Sequence, residues 1–322
     1  MPLSTDEKLL SLSRNIIDGF DKADGGVHPG FRPAHAKGIL LSGMFTPSAE
    51  AISLTRAPHA QRDSTPVTVR FSDFAGIPTV PDNDPQNASP RGCAIRFHLA
   101  EHVHTDIVAH SVDTFPARTA EEFLEFLRAL IATDFAGPHP NAIEQFLGSH
   151  PAALKFVQAT KPIPTSFAKE SFFAVSAFKF TNAGGASRYG RYRILPVAGN
   201  EYLDEAGAAA QSPNFLFDEI TKRVAKEPVM FQIVVQLAQD GDTTDDATVR
   251  WHEDRPRLVF GEISLKEIVP NNAGEQQQII FDPIPRVDGI EPSADPLFEP
   301  RANVYLMAGR RRRTSTKAAA GQ

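Results

Sequence analysis

Val67-Thr-Val-Arg-Phe-Ser-Asp73 alternates strictly: Val67, Val69 and Phe71 point one way, and Thr68, Arg70 and Ser72 the other. A helix does not produce that period. Cys93-Ala-Ile-Arg-Phe-His-Leu99 repeats it, with Ile95, Phe97 and Leu99 opposite Arg96 and His98. Further short extended runs are expected at about 38–46, 171–181, 187–195, 228–238 and 257–264, with turn signals between them. Many short alternating strands point to a barrel or a sandwich.

Helical patterns flank and interrupt these strands. Residues 5–20 place Leu9, Leu10, Ile16, Ile17 and Phe20 near one stripe, with Thr5 able to cap. Thr119-Ala-Glu-Glu122 is a capping-box pattern, followed by Phe123, Phe126, Leu127 and Leu130 at helical spacing. Residues 141–160 predict two short helices split near His150-Pro151, and 265–294 read as mostly extended or turn. A last helix is expected over about 295–309, with Leu297, Arg301, Val304, Tyr305 and Ala308 on one stripe. Residues 314–322 are small and polar and are expected to be a disordered tail. The reading is an α+β fold: one domain over residues 1–313, built on an antiparallel β-barrel core with helices around it.

The chain of 322 residues is 41% hydrophobic and 22% charged, an ordinary globular composition. A net charge of −6 gives no field for nucleic acid or an anionic membrane, the run Arg310–Arg313 being a local exception. The lone Cys93 excludes a disulfide within the chain and a multi-cysteine metal cluster. No secretory h-region and no apolar stretch near 18 residues is seen, so a cytoplasmic protein with no membrane span is expected. Phe is abundant at 23, against 4 Tyr and 1 Trp, which suits a dry aromatic core or a cavity for a flat apolar cofactor.

Arg32-Pro-Ala-His35-Ala-Lys-Gly38 sets a histidine beside two cations at the start of a strand. Such a ring can move protons near neutral pH. Arg301 and Tyr305 are four apart on one helical face, where the guanidinium can stabilise a phenolate; an ordinary surface pair is the plainer alternative. If the polar face of 66–73 looks into a barrel, Arg70 and Ser72 are buried and need partners. An acidic ligand group would satisfy the first and a histidine ring nitrogen the second. A solvent-exposed face is the alternative. His110, in Asp106–Phe115, reads as a loop or strand-end histidine, and His98, His102 and His104 as members of a solvated hairpin. Arg312 lies seven residues after Tyr305 and can turn inward with it. Gly184-Gly185 is a turn signal, and neither a nucleophile elbow nor a dinucleotide fingerprint is present.

Taken in order, these segments resemble the haem catalase family, and its small catalase-related peroxidases above all. The resemblance runs through Arg32–Gly38, Val69–Ser72, Ala75-Gly76, Pro90–Phe97, Phe115, Phe123 and Phe126, Trp251, Phe281-Asp-Pro283, Gly289–Glu291, Asp295 and Arg301–Tyr305. It implies a haem b in the barrel fold, with Tyr305 as axial iron ligand, kept ionised by Arg301. By position, His35 is the distal acid–base residue, oriented by Ser72. Arg32, Arg70 and Arg312 would pair with haem propionates, and Phe115 and Phe123 would line the cofactor. The family carries asparagine where this chain has His110, which counts against efficient dismutation and makes His110 a candidate catalytic residue. The implied activity is a peroxidase reducing hydrogen peroxide or organic hydroperoxides through an oxoferryl intermediate, with an unknown electron donor and weak catalase activity. A fatty-acid hydroperoxide isomerase and a non-enzymatic haem-binding protein are the alternatives. Full catalases continue well beyond the tyrosine segment, so a monomer or small homo-oligomer is expected.

Overall fold

The computed structural model describes residues 2–319. Helix α1 (Glu7–Ala23) leads into strand β1 (Gly38–Pro47), followed by α2 (Ala49–Leu54), β2 (Thr65–Ser72), β3 (Gly92–Ala100) and β4 (Val103–His110). Then come helices α3 (Ala120–Ile131), α4 (Ala142–Ser149) and α5 (Pro151–Gln158), and strands β5 (Phe172–Phe173), β6 (Phe178–Thr181) and β7 (Ser187–Pro196). Helices α6 (Glu205–Ala209) and α7 (Phe215–Val224) precede β8 (Val229–Leu237) and β9 (Arg257–Ile268). Helix α8 (Asn272–Gln278), strand β10 (Ile290–Pro292) and helix α9 (Phe298–Ala319) complete the order.

The strands pair antiparallel in the order β7-β5-β4-β3-β2-β1-β9-β8, and β8 pairs back onto β7. That closes an eight-stranded barrel, which leaves no open edge. Strands β6 and β10 extend outward from β7. The lumen is a packed core. Val67, Val69 and Phe71 meet Cys93, Ile95 and Phe97 inside it, and rings touch across it: Phe71 to Phe231 at 5.7 Å, and Phe45 to Phe97 at 5.1 Å. Each fully buried side chain of this size contributes about 1.5–3 kcal/mol.

The alternating face of β2 is therefore resolved, and it matches neither alternative read from the sequence, a polar face inside the barrel or one open to solvent. Arg70 and Ser72 look away from the lumen, onto the outer wall. They are still buried, because helices cover that wall. Helix α1 packs against α3 and α9, and Ile16, Leu124 and Leu127 form a second small core with Phe20, Phe123 and Val304. Helix α8 fills the space between β1 and α9.

Several boundaries differ from the sequence reading. Asp6, not Thr5, caps α1: its carboxylate accepts from the N–H groups of Lys8 and Leu9 at 2.8 and 3.3 Å. A carboxylate there also suits the positive end of the helix. Val103–His110 is a full strand rather than a loop. Its alternation is hidden because Thr105 and Asp106 are buried beside Ile107 and Ala109. Helix α8 lies where extended chain was expected. Its sequence, Asn-Ala-Gly-Glu-Gln-Gln-Gln, has no apolar stripe, and hydrogen bonds hold it instead: the Gln276 amide donates to the Gly38 carbonyl at 2.8 Å. Helix α9 runs past the expected end and through the first residues of the expected tail. Arg311 pairs with Asp21 of α1, and the Ser315 hydroxyl accepts the Gly30 N–H at 2.9 Å. Residues 320–322 of that tail lie outside the described residues.

Candidate functional site

One row of the sheet sets the site. Gly38, Ser72, Gly92 and His110 are opposite one another on β1, β2, β3 and β4. Residues directly opposite share a face, and this row faces the helices. Two of the four have no side chain, and that space is used. A Cβ on Gly38 would lie 2.2 Å from Arg70 Nη2; one on Gly92 would lie 2.5 Å from Ser72 Oγ and 2.8 Å from His35 Nδ1. The His35 ring thus occupies the position a side chain at residue 92 would take.

His35 arrives there from the loop before β1, with φ of +57°. That left-handed conformation costs a non-glycine residue on the order of 1–3 kcal/mol, so the surroundings must hold it. Its N–H donates to the Phe74 carbonyl at 2.6 Å, and Arg70 Nη2 donates to its carbonyl at 2.9 Å and to that of Ala36 at 3.2 Å. Lys37 is tied to the Val80 carbonyl and to Asp82. The ring is fixed by Ser72 Oγ at 3.1 Å from Nδ1 and by the edge of Phe74, 5.5 Å between centroids. Burial, with Arg70 and His110 adding to it, pushes the His35 pKa down to about 3. A neutral ring with Nδ1 engaged leaves Nε2 for proton transfer.

Arg32, Arg70 and Arg312 converge beside this loop. Arg32 donates to the carbonyls of Gln276 and Ile279, both at 3.1 Å, and Arg312 donates to that Ile279 carbonyl at 2.7 Å. Arg70 Nε donates to the Gln276 side-chain oxygen at 3.0 Å. The acceptors of Arg32 and Arg70 are all neutral. Burial, and then repulsion between the guanidinium groups, lowers the pKa of Arg32 and of Arg70. Concentrated positive charge held only by neutral acceptors is a site for an anion.

On α9, the guanidinium carbon of Arg301 lies 6.0 Å from the centroid of the Tyr305 ring. The Ser176 hydroxyl accepts from Arg301 at 3.4 Å and so fixes its direction. Tyr305 also faces the cluster closely enough for a phenolate there to favour the charged form of Arg32. Aromatic rings wall the remaining side. Phe115 lies 6.4 Å from His110 and 5.3 Å from Phe123, which reaches Phe20 at 5.8 Å and Phe126 at 6.3 Å. Burial, then Arg301, pushes the His110 pKa down to about 4, against a smaller upward pull from the Val112 backbone.

The residues expected for the site from sequence (His35, Ser72, His110, Arg32, Arg70, Arg312, Phe115, Phe123, Arg301 and Tyr305) thus gather between the outer barrel wall and helices α1, α3, α8 and α9. His98 and His104 do not join them. They oppose each other at the far end of β3 and β4, where Thr68 meets His98 at 2.9 Å. Three participants were missed. Gln276 sits in a polar run with no periodicity, and Ser176 is a small residue in extended chain, so neither carried a signal. Gly92 was visible only as part of Pro90–Phe97.

A protein-family model described as Catalase matches residues 29–319. The chain belongs to the catalase family. It is 33% identical to a catalase-related peroxidase of Mycolicibacterium paratuberculosis over 290 residues, 88% of this chain and 90% of the relative. It is 31% identical to a catalase-related peroxidase of Synechococcus elongatus, over 88% of this chain and 84% of the relative. Among solved structures, a fungal catalase superposes with a TM-score of 0.77 at 22% identity, over 97% of this chain and 63% of its own length. Catalase A of Saccharomyces cerevisiae gives 0.75 at 22%, over 97% of this chain and 65% of its own.

Family membership implies a haem, and the residues present fit one. The guanidinium cluster calls for carboxylates, as on propionate side chains. The aromatic wall suits a flat macrocycle. A phenol beside a guanidinium is a suitable anionic ligand for ferric iron.

Proposed function

We propose that this protein is a haem b peroxidase that reduces hydrogen peroxide and organic hydroperoxides, with weak catalase activity. The carrying observation is His35, held by Ser72 over Gly92 on the same wall as a cluster of arginines, with a tyrosine–arginine pair on the facing helix. Tyr305 would bind the iron as a phenolate, with Arg301 favouring the ionised form. Arg32, Arg70 and Arg312 would hold the propionates, and Phe115 and Phe123 would exclude water from the macrocycle.

When bound, the haem supplies the redox chemistry that cleaves the O–O bond. His35 Nε2 takes the proton of the incoming hydroperoxide and returns it to the departing oxygen, which leaves as water or an alcohol. A pKa near 3 keeps that ring neutral, and so able to accept, at any ordinary pH. The two relatives named as catalase-related peroxidases support this reading, each matched over most of its own length.

The test is one preparation of haem-loaded protein. A tyrosinate-type Soret spectrum and peroxide-dependent dye oxidation that exceeds oxygen release support the reading. Oxygen release far above dye oxidation would replace it with a true catalase. A Tyr305→Phe protein with unchanged spectrum and turnover would remove the ligand assignment.

A further inference from the structure

Behind the seat of His35 lies a set of buried charges that the proton transfer itself does not use. Lys37 follows His35 by two residues, Asp73 follows Ser72, and Arg91 precedes Gly92. Arg91 Nη1 donates to Asp73 Oδ1, and its Nη2 donates to the Asp82 carbonyl. Lys37 Nζ donates to Asp82 Oδ1, and the other Asp82 oxygen accepts the Leu216 N–H of α7 at 2.7 Å. Asp73, Asp82 and Arg91 are fully buried. Asp73 Oδ2 has no donor among the described residues. The Asp82 carboxyl is nevertheless within hydrogen-bonding reach of the Asp73 carboxyl. Two carboxylates accept and cannot donate, so that contact is a hydrogen bond only if one of them carries a proton. A bare Asp73 would instead leave a buried anionic oxygen unpaired and facing a second anion.

Resting on the peroxidase reading, we infer that Asp73 is a positioning residue for His35: a buried carboxylic acid whose Oδ2 proton bridges to Asp82 and locks the end of β2 onto the His35 loop. What the lock holds is the Asp73 backbone. It is hydrogen-bonded to the His35 ring, and its N–H donates to the Lys37 carbonyl at 3.2 Å. The chain on either side of the site thus ends in one carboxyl pair, the His35 loop through Lys37 and Asp82, the Ser72 strand through Asp73. Burial raises the Asp73 pKa; Arg91 opposes this, and Asp82 raises it further. The other charges around the pair are Lys37, which pulls Asp73 down, Arg70 on β2, and Glu170 and Asp84, both acted on by Arg91. The proton is therefore present at low pH and lost as pH rises. Its loss sets two carboxylates against each other beside the Ser72–His35 contact. His35 then loses its seat on the alkaline side, while its own ring stays neutral throughout.

Infrared spectra of the haem-loaded protein read the proton directly. At about pH 6 the expected spectrum has the C=O stretch of a protonated carboxyl, shifted in D2O, lost in Asp73→Asn and kept in Glu170→Gln. No such band in the parent, or one that survives Asp73→Asn, overturns the inference. Kinetics with cumene hydroperoxide supply the second arm, with haem content confirming that each variant is folded. Parent kcat/KM should fall by about tenfold as pH rises from about 7 to about 9, the worth of one hydrogen bond to a charged partner. Asp73→Leu should show a loss of about that size already at about pH 6. Asp73→Asn keeps an N–H donor towards Asp82 at every pH, so it should recover most of that loss and remove the alkaline fall. A side chain that merely fills space would not move the pH profile. A flat parent profile, or an asparagine variant that keeps the alkaline fall, overturns the positioning role. Should the parent itself show no peroxide turnover, the peroxidase reading fails, and the infrared band still decides where the proton lies.

Discussion

Ser72 and His35 meet over a residue that has no side chain: the hydroxyl is 3.1 Å from Nδ1, directly above Gly92. The positions of both partners would be within 3 Å of a methyl group placed there. Real Cβ atoms do not approach so closely, so Gly92→Ala must displace the ring or the hydroxyl. We expect haem loading to persist and kcat/KM to drop by about two orders of magnitude, near the low end of an acid–base contribution. Equal activity in the alanine variant would show that His35 does not need this seat.

Removing the two partners singly separates their roles. His35→Ala removes the proton carrier and should cost about 10²- to 10⁴-fold in kcat/KM. Ser72→Ala removes one hydrogen bond, roughly 1 kcal/mol, and should cost only about fivefold. Steady-state kinetics with hydrogen peroxide measures both. An effect of Ser72→Ala as large as that of His35→Ala would mean that the serine does more than orient the ring.

Arg32 donates to two carbonyls of the α8 segment and has no carboxylate partner among the described residues. Its positive charge is costly until an anion arrives. Arg32→Met should therefore weaken haem retention by about 10- to 100-fold, the worth of a charge-assisted hydrogen bond. Haem transfer to apomyoglobin reads the loss. A variant that keeps its haem as long as the parent would remove Arg32 from the propionate set.

The buried histidines set the acid behaviour. Burial is the main cause that pushes His35 and His59 down to about 3, and His110 to about 4, from an ordinary 6.5. In the unfolded chain these rings take up protons below about pH 6.5, whereas in the native apoprotein they stay neutral until near 3–4. Unfolding therefore binds protons throughout that window, and stability falls as pH drops from about 6.5 towards 4. The thermal midpoint of the apoprotein, measured across pH 4–7, should decline on acidification. Over the same range kcat/KM of the loaded enzyme should show no loss centred near 6.5, because His35 is already the neutral base. A kinetic limb at 6.5 would mean that the ring is not buried in the working enzyme.

How much of this was legible beforehand varies with the element. The period of Val67–Asp73 and of Cys93–Leu99 is a local property, and it gave both strands and the residues that share each face, though not which face points inward. Thr119 caps α3 as its pattern predicted, with Oγ1 accepting the Glu122 N–H at 3.2 Å. Strand β4 was missed because its buried Thr105 and Asp106 break the alternation, and Asp106 is buried only because Arg96 pairs with it from the adjacent strand. Helix α8 was missed because its stability comes from Gln276, Arg32 and Arg70, which lie far apart in sequence.

The sequence by itself determined that Arg70 and Ser72 share a face, that Arg301 and Tyr305 share another, and that the order of segments is that of a catalase. Those are consequences of backbone period and of chemistry carried within short stretches. Which side of the barrel received the polar face was a tertiary decision. Aromatic and aliphatic side chains from distant strands pack the lumen, so Arg70 and Ser72 were left the outer wall and the helices that cover it. The proximity of His35 to His110 was decided in the same way. No local pattern connects them; antiparallel register set His110 opposite Gly92, and a missing side chain let His35 in.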